Sequence, residues 1–369
     1  MRVLMLSKAC IVGIYQRKLE EIAKQGVELL TLVPPSWRDE RGETMLERAH
    51  TEGYRLEVLP IRFNGSYHLH HYSHLWEKMR KFRPHLVHID EEPYNAATWQ
   101  ALYCARKLGV KSLFFTWQNI ARRYPFPFNV GERWVLNTTD AAIAGTEGAA
   151  QVWRAKGYRR EIAVIPQFGT DPHDFTPSEQ RPQRPFTVGF VGRLVEEKGV
   201  QVLLQALVHL RDRLRCTEWR LVIIGGGPLK NELQAQVERN QLQAHVDFAG
   251  QFPSVEMPAQ YQAMDALVLP SLTRPNWKEQ FGRALVEAMA SGVPVIGSDS
   301  GAIPDVIGDA GLIVPEGNTR ALAEALYRLM NDSGLYAQLW QAGRQRMLDH
   351  FTHEQVAAAT VAFYRRIMG

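Results

Sequence analysis

The sequence predicts an α/β protein made of two doubly wound, Rossmann-like domains. Three observations carry that prediction. Short apolar runs recur along the chain, longer amphipathic segments separate them, and one polar, proline-rich stretch interrupts the series midway. Near-continuous apolar strands alternating with helical segments indicate parallel sheets covered on both faces.

Taken in order, the first-half runs are VLMLS (3–7), VELLTLV (27–33), LEVLP (56–60), HLVHI (85–89), SLFFT (112–116), AAIAG (141–145) and IAVIP (162–166). The stretch TPSEQRPQRP (176–185) has no apolar periodicity and three prolines, so it reads as a linker between domains 1–175 and 186–345. The second series is TVGFVG (187–192), RLVIIG (220–225), HVDFAG (245–250), ALVLPS (266–271), VPVIGS (293–298) and GLIVP (311–315). Beyond Pro315 the pattern is helical to the end. Ligands of open parallel sheets sit beyond the carboxyl ends of the strands, so binding motifs are expected just after these runs, and two facing domains would leave a cleft.

Composition narrows the class. With 45% hydrophobic and 22% charged residues, the chain is an ordinary globular protein rather than a disordered or fibrous one. Three scattered cysteines, Cys10, Cys104 and Cys216, form neither a disulfide framework nor a metal spacing, which points to a reducing, cytoplasmic compartment. No apolar run is long enough for a transmembrane helix, and the opening MRVLMLSKAC reads as a buried strand rather than a signal peptide. Residues 1–170 carry a net charge of +7 and the remainder −3, giving the total of +4. The basic half suggests an anionic partner or peripheral contact with an anionic membrane surface; the alternative is a solvated surface of uneven charge. Nothing in the sequence indicates a nucleic-acid partner.

Two strand-end motifs carry the chemistry. KEQFGRALVE (278–287) follows the strand ALVLPS and a proline-containing loop. Were it all helix, Glu279 and Glu287 would lie about 80° apart and not share a face. The better reading starts a helix near Phe281-Gly282 and ends it at Ser291-Gly292. The first-turn amides of Phe281, Gly282 and Arg283 then form an anion site, with Gly282 admitting a phosphate to the backbone. Glu279 and Glu287 flank that site and suit sugar hydroxyls on either side of a diphosphate. The alternative makes Glu279 a dipole-favoured acid at the helix start and Glu287 a surface glutamate. The second motif, TVGFVGRLVEEKG (187–199), is a strand, a turn at Gly192 and a helix opening at Gly199. Arg193 and Lys198 flank the loop and supply a fork and a point charge for a diphosphate, whose developing charge they would stabilise. Pairing with Glu196 and Glu197 is the alternative.

GRLVEEKG (192–199), PS…EQFGRALVEAMASGVPVIGSDSGAIPDVI (270–307) and GLIVP (311–315), with the weaker PHLVHID (84–90) and VIPQFGTD (164–171), resemble the retaining glycosyltransferases of family 4. The resemblance implies the GT-B fold, two Rossmann-like domains facing across a cleft, with the last helix crossing back so that part of 346–369 packs on the first domain. It implies transfer of a sugar from a nucleotide-sugar to a glycan or lipid-linked acceptor, with retained configuration and no metal or other cofactor. UDP-sugars are expected ahead of GDP-mannose. Arg193 and Lys198 would hold the diphosphate, Glu279 the transferred sugar, Glu287 the ribose, and the Phe281 and Gly282 amides the phosphate.

The chain departs from the family at three places, one of them Asp305, where a glutamate is commoner. His88-Ile89-Asp90 puts an aspartate where the family often has the second histidine of a His-x-His pair, leaving Asp90 and Glu91 as rival acceptor-side catalytic groups. KACIVGIY (8–15) replaces a glycine pair and leaves Gly13 alone for a close approach to the donor phosphate. Weaker signals remain. His68, His70, His71 and His74 lack a second ligand set, so acceptor contact or plain surface is expected rather than metal. ARRYPFPF (121–128) and WRAKGYRR (153–160) interleave cations with aromatics, as a phosphorylated acceptor or lipid headgroup would require, or as snorkelling helix faces would. Two other readings are open: an acceptor-free sugar-nucleotide epimerase and a non-catalytic nucleotide-sugar-binding protein.

Overall fold

Each apolar run becomes a strand of one of two parallel sheets in the computed structural model, which describes residues 1–39, 42–178 and 185–369. Most of the expected linker, 179–184, lies outside the described residues. The chain divides into two units, one joining Met1–Gly169 to His353–Gly369 and the other Thr170–Thr352.

The strands of the first unit are β1 (Arg2–Leu6), β2 (Glu28–Val33), β3 (Ser36–Asp39), β4 (Gly42–Met45), β5 (Arg55–Val58), β6 (Ile61–Arg62), β7 (His71–Tyr72), β8 (Leu86–Ile89), β9 (Lys111–Thr116), β10 (Ala141–Ala144) and β11 (Glu161–Val164). Seven form one sheet in the order β11-β10-β9-β8-β1-β2-β5, with every ladder parallel. Successive side chains face opposite ways. Val3, Met5 and Leu29 therefore enter one apolar cluster, and Leu4, Leu6 and Leu30 enter another. Helices α1 (Arg17–Lys24), α2 (Leu75–Phe82), α3 (Ala96–Leu108), α4 (Phe128–Thr138) and α5 (Glu147–Ala155) link the strands. The antiparallel pairs β3–β4 and β6–β7 were not expected. They are short, and β4 is wholly exposed, so they lack the apolar run that marks a strand.

The second unit has β12 (Phe186–Val191), β13 (Trp219–Ile224), β14 (Val246–Gly250), β15 (Ala266–Leu269), β16 (Val295–Ser298) and β17 (Leu312–Val314). Their order is β14-β13-β12-β15-β16-β17, again all parallel. Its helices are α6 (Val200–Asp212), α7 (Lys230–Arg239), α8 (Met257–Gln262), α9 (Arg283–Ala290), α10 (Ile303–Ile307), α11 (Thr319–Asn331) and α12 (Ser333–His350). In both sheets the first strand lies inside, and the chain later crosses to its other side. The topological switch points therefore fall between β1 and β8 and between β12 and β15. Ligands bind in the crevice at such points.

The last helix, α13 (His353–Met368), belongs to the first unit. Val356, Val361 and Tyr364 join the cluster that contains Val3 and Met5. Tyr364 Oη lies 2.5 Å from His88 Nδ1, and Arg366 pairs with Glu161 at 2.5 Å. The division at Gly169 precedes the proline-rich stretch because Thr170–Phe175 are tied to the second unit. Thr170 N–H donates to the Phe351 carbonyl at 2.8 Å. The Arg344 guanidinium donates to the carbonyls of Pro172 at 3.1 Å and Phe175 at 2.8 Å. Among the described residues no helix is long and apolar enough to cross a membrane.

Candidate active site

At the switch point of the second unit, the turn after β12 is pressed against the loop after β15. Gly199 makes this possible. Its φ is +71°, and a Cβ there would stand 1.9 Å from the Pro270 carbonyl oxygen. The close approach brings Lys198 to Glu279. Lys198 Nζ lies 2.6 Å from Glu279 Oε2, which also accepts from Ser271 Oγ at 2.9 Å. The ammonium also stands 5.2 Å from the centre of the Trp277 ring. Glu279 is buried, so it is no solvated acid at a helix start. Two residues assigned from sequence to different parts of one ligand are therefore each other's partner. Glu196 pairs instead with Arg274, at 2.6 Å. Arg193 is exposed on the turn immediately after β12. The GGGPLK turn (225–230) after β13 is fixed beside it, with Leu194 N–H donating to the Gly226 carbonyl at 2.9 Å.

Helix α9 opens one turn past Glu279. Gly282 caps it with φ +79°, and a Cβ there would come within 3.0 Å of Leu269 and Leu285. The Gly282 N–H has no hydrogen-bond partner among the described residues, as befits the positive end of a helix. The helix ends at Ala290, with Ser291 as cap and Gly292 at φ +68°. Glu287 is not a surface glutamate: its side chain is largely buried with both oxygens engaged. Oε1 accepts from Arg283 Nε at 2.6 Å and Oε2 from Tyr261 Oη at 2.8 Å. Burial, then the Glu287 charge, pushes the Tyr261 hydroxyl well above its usual range, so it stays a donor. Tyr261 was not singled out in the sequence. It lies on α8, 26 residues away, and no local pattern joins the two.

The switch point of the first unit is more acidic and more closed. Ser7 and Lys8 follow β1, and Asp90, Glu91 and Glu92 follow β8. Asp90 is buried, accepting from Ser7 Oγ at 2.5 Å and from Gln167 Nε2 at 3.0 and 3.1 Å. Burial raises its pKa, and the nearby Lys18 charge opposes the rise. Lys18 is itself 3% exposed, lies over the Phe168 ring and donates to the Gln167 carbonyl at 2.8 Å. Burial lowers its pKa while Asp90 opposes. Glu91 is held differently. Lys8 Nζ lies 2.5 Å away, His70 Nε2 3.5 Å, and Tyr72 Oη donates at 3.5 Å. Burial acts to raise its pKa, but Lys8 and His70 prevail and hold it at about 2. A carboxylate so paired is a poor proton acceptor. Between the two rivals, the geometry therefore favours Asp90 as the group with proton affinity. Glu92 accepts from Thr116 Oγ1 and from the Trp117 amide, both at 2.7 Å, and burial lifts its pKa to about 7.

Gly13 is placed differently from the expected open glycine. Its N–H donates to Glu47 Oε2 at 2.8 Å, and a Cβ there would meet Ala49 at 2.9 Å. The space a phosphate would need is filled by this chain's own side chains. The histidines also separate. His70 Nδ1 lies 3.1 Å from the Ser66 carbonyl and 3.0 Å from that of Tyr67, while His68 packs among Tyr94, Tyr124 and Phe128. Among the described residues no group of three or more His, Cys, Asp or Glu is placed to hold a metal ion.

Comparison with known proteins gives the family. The family described as "Glycosyl transferase 4-like domain" matches residues 14–167, and "Glycosyl transferases group 1" matches residues 173–346. A 2-deoxystreptamine glucosyltransferase of Streptomyces kanamyceticus is 30% identical over 253 residues, covering 64% of this chain and 63% of that one. A GDP-mannose-dependent alpha-(1-6)-phosphatidylinositol monomannoside mannosyltransferase of Mycolicibacterium smegmatis is 34% identical over 165 residues, 44% of this chain and 43% of that one. The chain thus matches 43% to 63% of the length of these curated relatives. Anabaena HepE, solved in complex with UDP, superposes with a TM-score of 0.74 at 18% identity, covering 99% of this chain and all of that one. With its two Rossmann-like sheets and a family match on each, the chain belongs to the GT-B glycosyltransferases, a 4-like domain followed by a group 1 domain.

Proposed function

We propose that the chain is a retaining hexosyltransferase that uses a nucleotide-diphosphate sugar and requires no divalent cation. One observation carries the reading: Lys198, Glu279, Glu287 and the open Gly282 amide gather at the β12/β15 switch point. A diphosphate there would take the Gly282 amide, Arg193 and a share of Lys198. Glu279 would then turn toward the sugar, and Glu287, already fixed by Tyr261, would receive the ribose hydroxyls. As the bond from the sugar C1 to the diphosphate oxygen breaks, the acceptor oxygen bonds C1 on the same face. The diphosphate leaves with its charge held by the two cations and the helix end. We assign Asp90 to the acceptor hydroxyl, to orient it and take its proton. The acceptor in this reading is a glycan or lipid-linked hydroxyl at the cytoplasmic face of a membrane.

The test is a donor-cleavage screen with detection of released nucleotide, run with and without EDTA, because water can stand in for the acceptor. A UDP-sugar comes first, since Anabaena HepE holds UDP, and GDP-mannose second, since the mycobacterial relative is named for it. Expected are EDTA-resistant release from one donor and its loss in Glu279→Ala. Cleavage that survives Glu279→Ala would remove that residue from the site, and a requirement for metal would overturn the cation-only clamp.

A further inference from the structure

The stretch VIPQFGTD (164–171) places Gln167 just after β11, and its side chain works along the carboxyl edge of the first sheet. Trp117 follows β9, Asp90 follows β8 and Ser7 follows β1, and these strands lie in the order β11-β10-β9-β8-β1. The four side chains form one line of hydrogen bonds. Trp117 Nε1 donates to Gln167 Oε1 at 2.8 Å. Gln167 Nε2 stands 3.0 Å from Asp90 Oδ1 and 3.1 Å from Oδ2, and Ser7 Oγ donates to Oδ2 at 2.5 Å. An indole N–H can only donate. It therefore fixes which end of the Gln167 amide faces it and turns the N–H end to the carboxylate.

Both sides of that amide are anchored in turn. The Trp117 backbone N–H donates to Glu92 Oε1 at 2.7 Å, and its ring fills the space beside Gly145, where a Cβ would come within 2.2 Å of it. Opposite, the Lys18 ammonium donates to the Gln167 carbonyl at 2.8 Å, and Tyr15 stacks on Phe168 with ring centres 4.0 Å apart. Gln167 is 9% exposed and Asp90 4%, so water competes little for these bonds. The charges acting on Asp90 are those of Lys18 and Glu91. Burial pushes the Cys10 thiol up to about 12 and holds the Tyr72 and Tyr364 hydroxyls well above their usual range, so those three neighbours stay neutral.

Among the described residues Asp90 Oδ2 takes two of these donors and Oδ1 one, so Oδ1 keeps the larger capacity for a further hydrogen bond. We propose that Gln167 is a positioning residue for Asp90: locked by Trp117, its amide fixes the carboxylate and leaves Oδ1 to receive the acceptor hydroxyl. The hydroxyl proton passes to Oδ1 as the hydroxyl oxygen bonds the sugar C1, and the diphosphate departs with the electron pair of the broken bond. The Gln167 N–H favours the charged carboxylate, the form able to take that proton, and so works against burial. The inference rests on the assignment of Asp90 to the acceptor.

The experiment is a pH titration by carbon NMR of protein labelled at the aspartate carboxyls, run beside the pH profile of donor cleavage. The Asp90 signal is the one missing from Asp90→Asn. Gln167→Met removes the donor at nearly constant volume, so the Asp90 midpoint should move up, and the acidic limb of cleavage with it. The plateau kcat should fall on the order of tenfold, with KM for the donor unchanged. Trp117→Phe, which deletes the lock, should move the midpoint the same way. A midpoint unmoved in Gln167→Met overturns the proposal, and one unmoved in Trp117→Phe overturns the lock. A fall in kcat with the acidic limb in place marks a merely structural role and overturns it too. Should Gln167→Met unfold by circular dichroism, Gln167→Glu takes its place: it keeps the shape and the bond from Trp117 but sets one carboxylate against another, so the midpoint should again move up. The two readings fail separately. A moved midpoint without cleavage of any donor by the wild type refutes the transferase reading alone, and cleavage with an unmoved midpoint refutes the role of Gln167 alone.

Discussion

Lys198 and Glu279 should be energetically coupled in the ligand-free protein, and a double-mutant cycle measures the coupling. The perturbations are Lys198→Met and Glu279→Gln, alone and together. At 2.6 Å and an effective dielectric of about 20, two unit charges attract by about 6 kcal/mol before desolvation is subtracted. The lysine side chain is 20% exposed and the glutamate 7%, so the pair lies between a surface bridge, worth about 0–1 kcal/mol, and a buried one, whose disruption costs about 3–5 kcal/mol. Lys198→Met leaves Glu279 with Ser271 Oγ among its charge-stabilising contacts and should cost about 2–3 kcal/mol. The coupling should be about 2 kcal/mol. Equilibrium urea unfolding of the four proteins reads it out, repeated in high salt, where a largely buried pair keeps most of its coupling. A coupling under about 0.5 kcal/mol, or one abolished by salt, is the signature of an exposed pair. Either result would refute the claim that Lys198 and Glu279 form a largely buried ion pair.

Three further outcomes follow from the same geometry. Gly199→Ala adds left-handed backbone strain to a Cβ 1.9 Å from the Pro270 carbonyl, so thermal unfolding should show a loss of about 2–4 kcal/mol; a wild-type melting curve would contradict the close approach. Tyr261→Phe deletes one of the two hydrogen bonds that fix Glu287, costing about 1–2 kcal/mol of stability. It should also weaken binding of a nucleoside diphosphate more than of inorganic diphosphate, and equal weakening would separate Glu287 from the ribose. The third outcome concerns pH. Burial raises the folded Glu92 pKa to about 7, so the folded state holds a proton that the unfolded chain has lost, and its contribution falls as pH rises from about 4.5 to 7. Glu91, held at about 2, works the opposite way: its contribution is present above about 4.5 and is lost as pH falls toward 2. Unfolding followed from pH 4.5 to 7 in wild type and Glu92→Gln should show the wild-type decline flattened in the variant. Parallel curves would mean that Glu92 ionises alike in both states.

What could be read from the sequence was what depends on local pattern. Parallel strands buried on both faces leave unbroken apolar runs, so all the strands of both main sheets were visible, as was the α9 boundary at Gly282 and Gly292. What depends on distant partners was not. Lys18 on α1 carries no mark of burial, yet the chain returns Gln167 and Phe168 to cover it. Gly13 looked like a phosphate contact, but it accommodates Glu47 and Ala49 from a segment with no apolar pattern of its own. Asp90 and Glu91, adjacent in sequence, could not be ranked from it. Their difference arises from Lys8, His70 and Tyr72 closing on one, and Ser7 and Gln167 on the other.

Both sheets cross over at the same place in their strand order, yet the two switch points hold opposite chemistry, and the contrast is itself an argument for division of labour. The β12/β15 point combines left-handed glycines at 199 and 282, a backbone amide without a partner, and cations set against acids. Every one of these features lowers the cost of bringing an anion to the backbone. The β1/β8 point offers three successive acids, of which Asp90 and Glu91 are buried, and Gly13 already donates to a carboxylate. A hydroxyl brought to that point would find an acceptor in Asp90, whose pKa burial raises. In the proposed function the donor's diphosphate therefore belongs to the glycine-bearing unit and the acceptor's hydroxyl to the unit that holds Asp90.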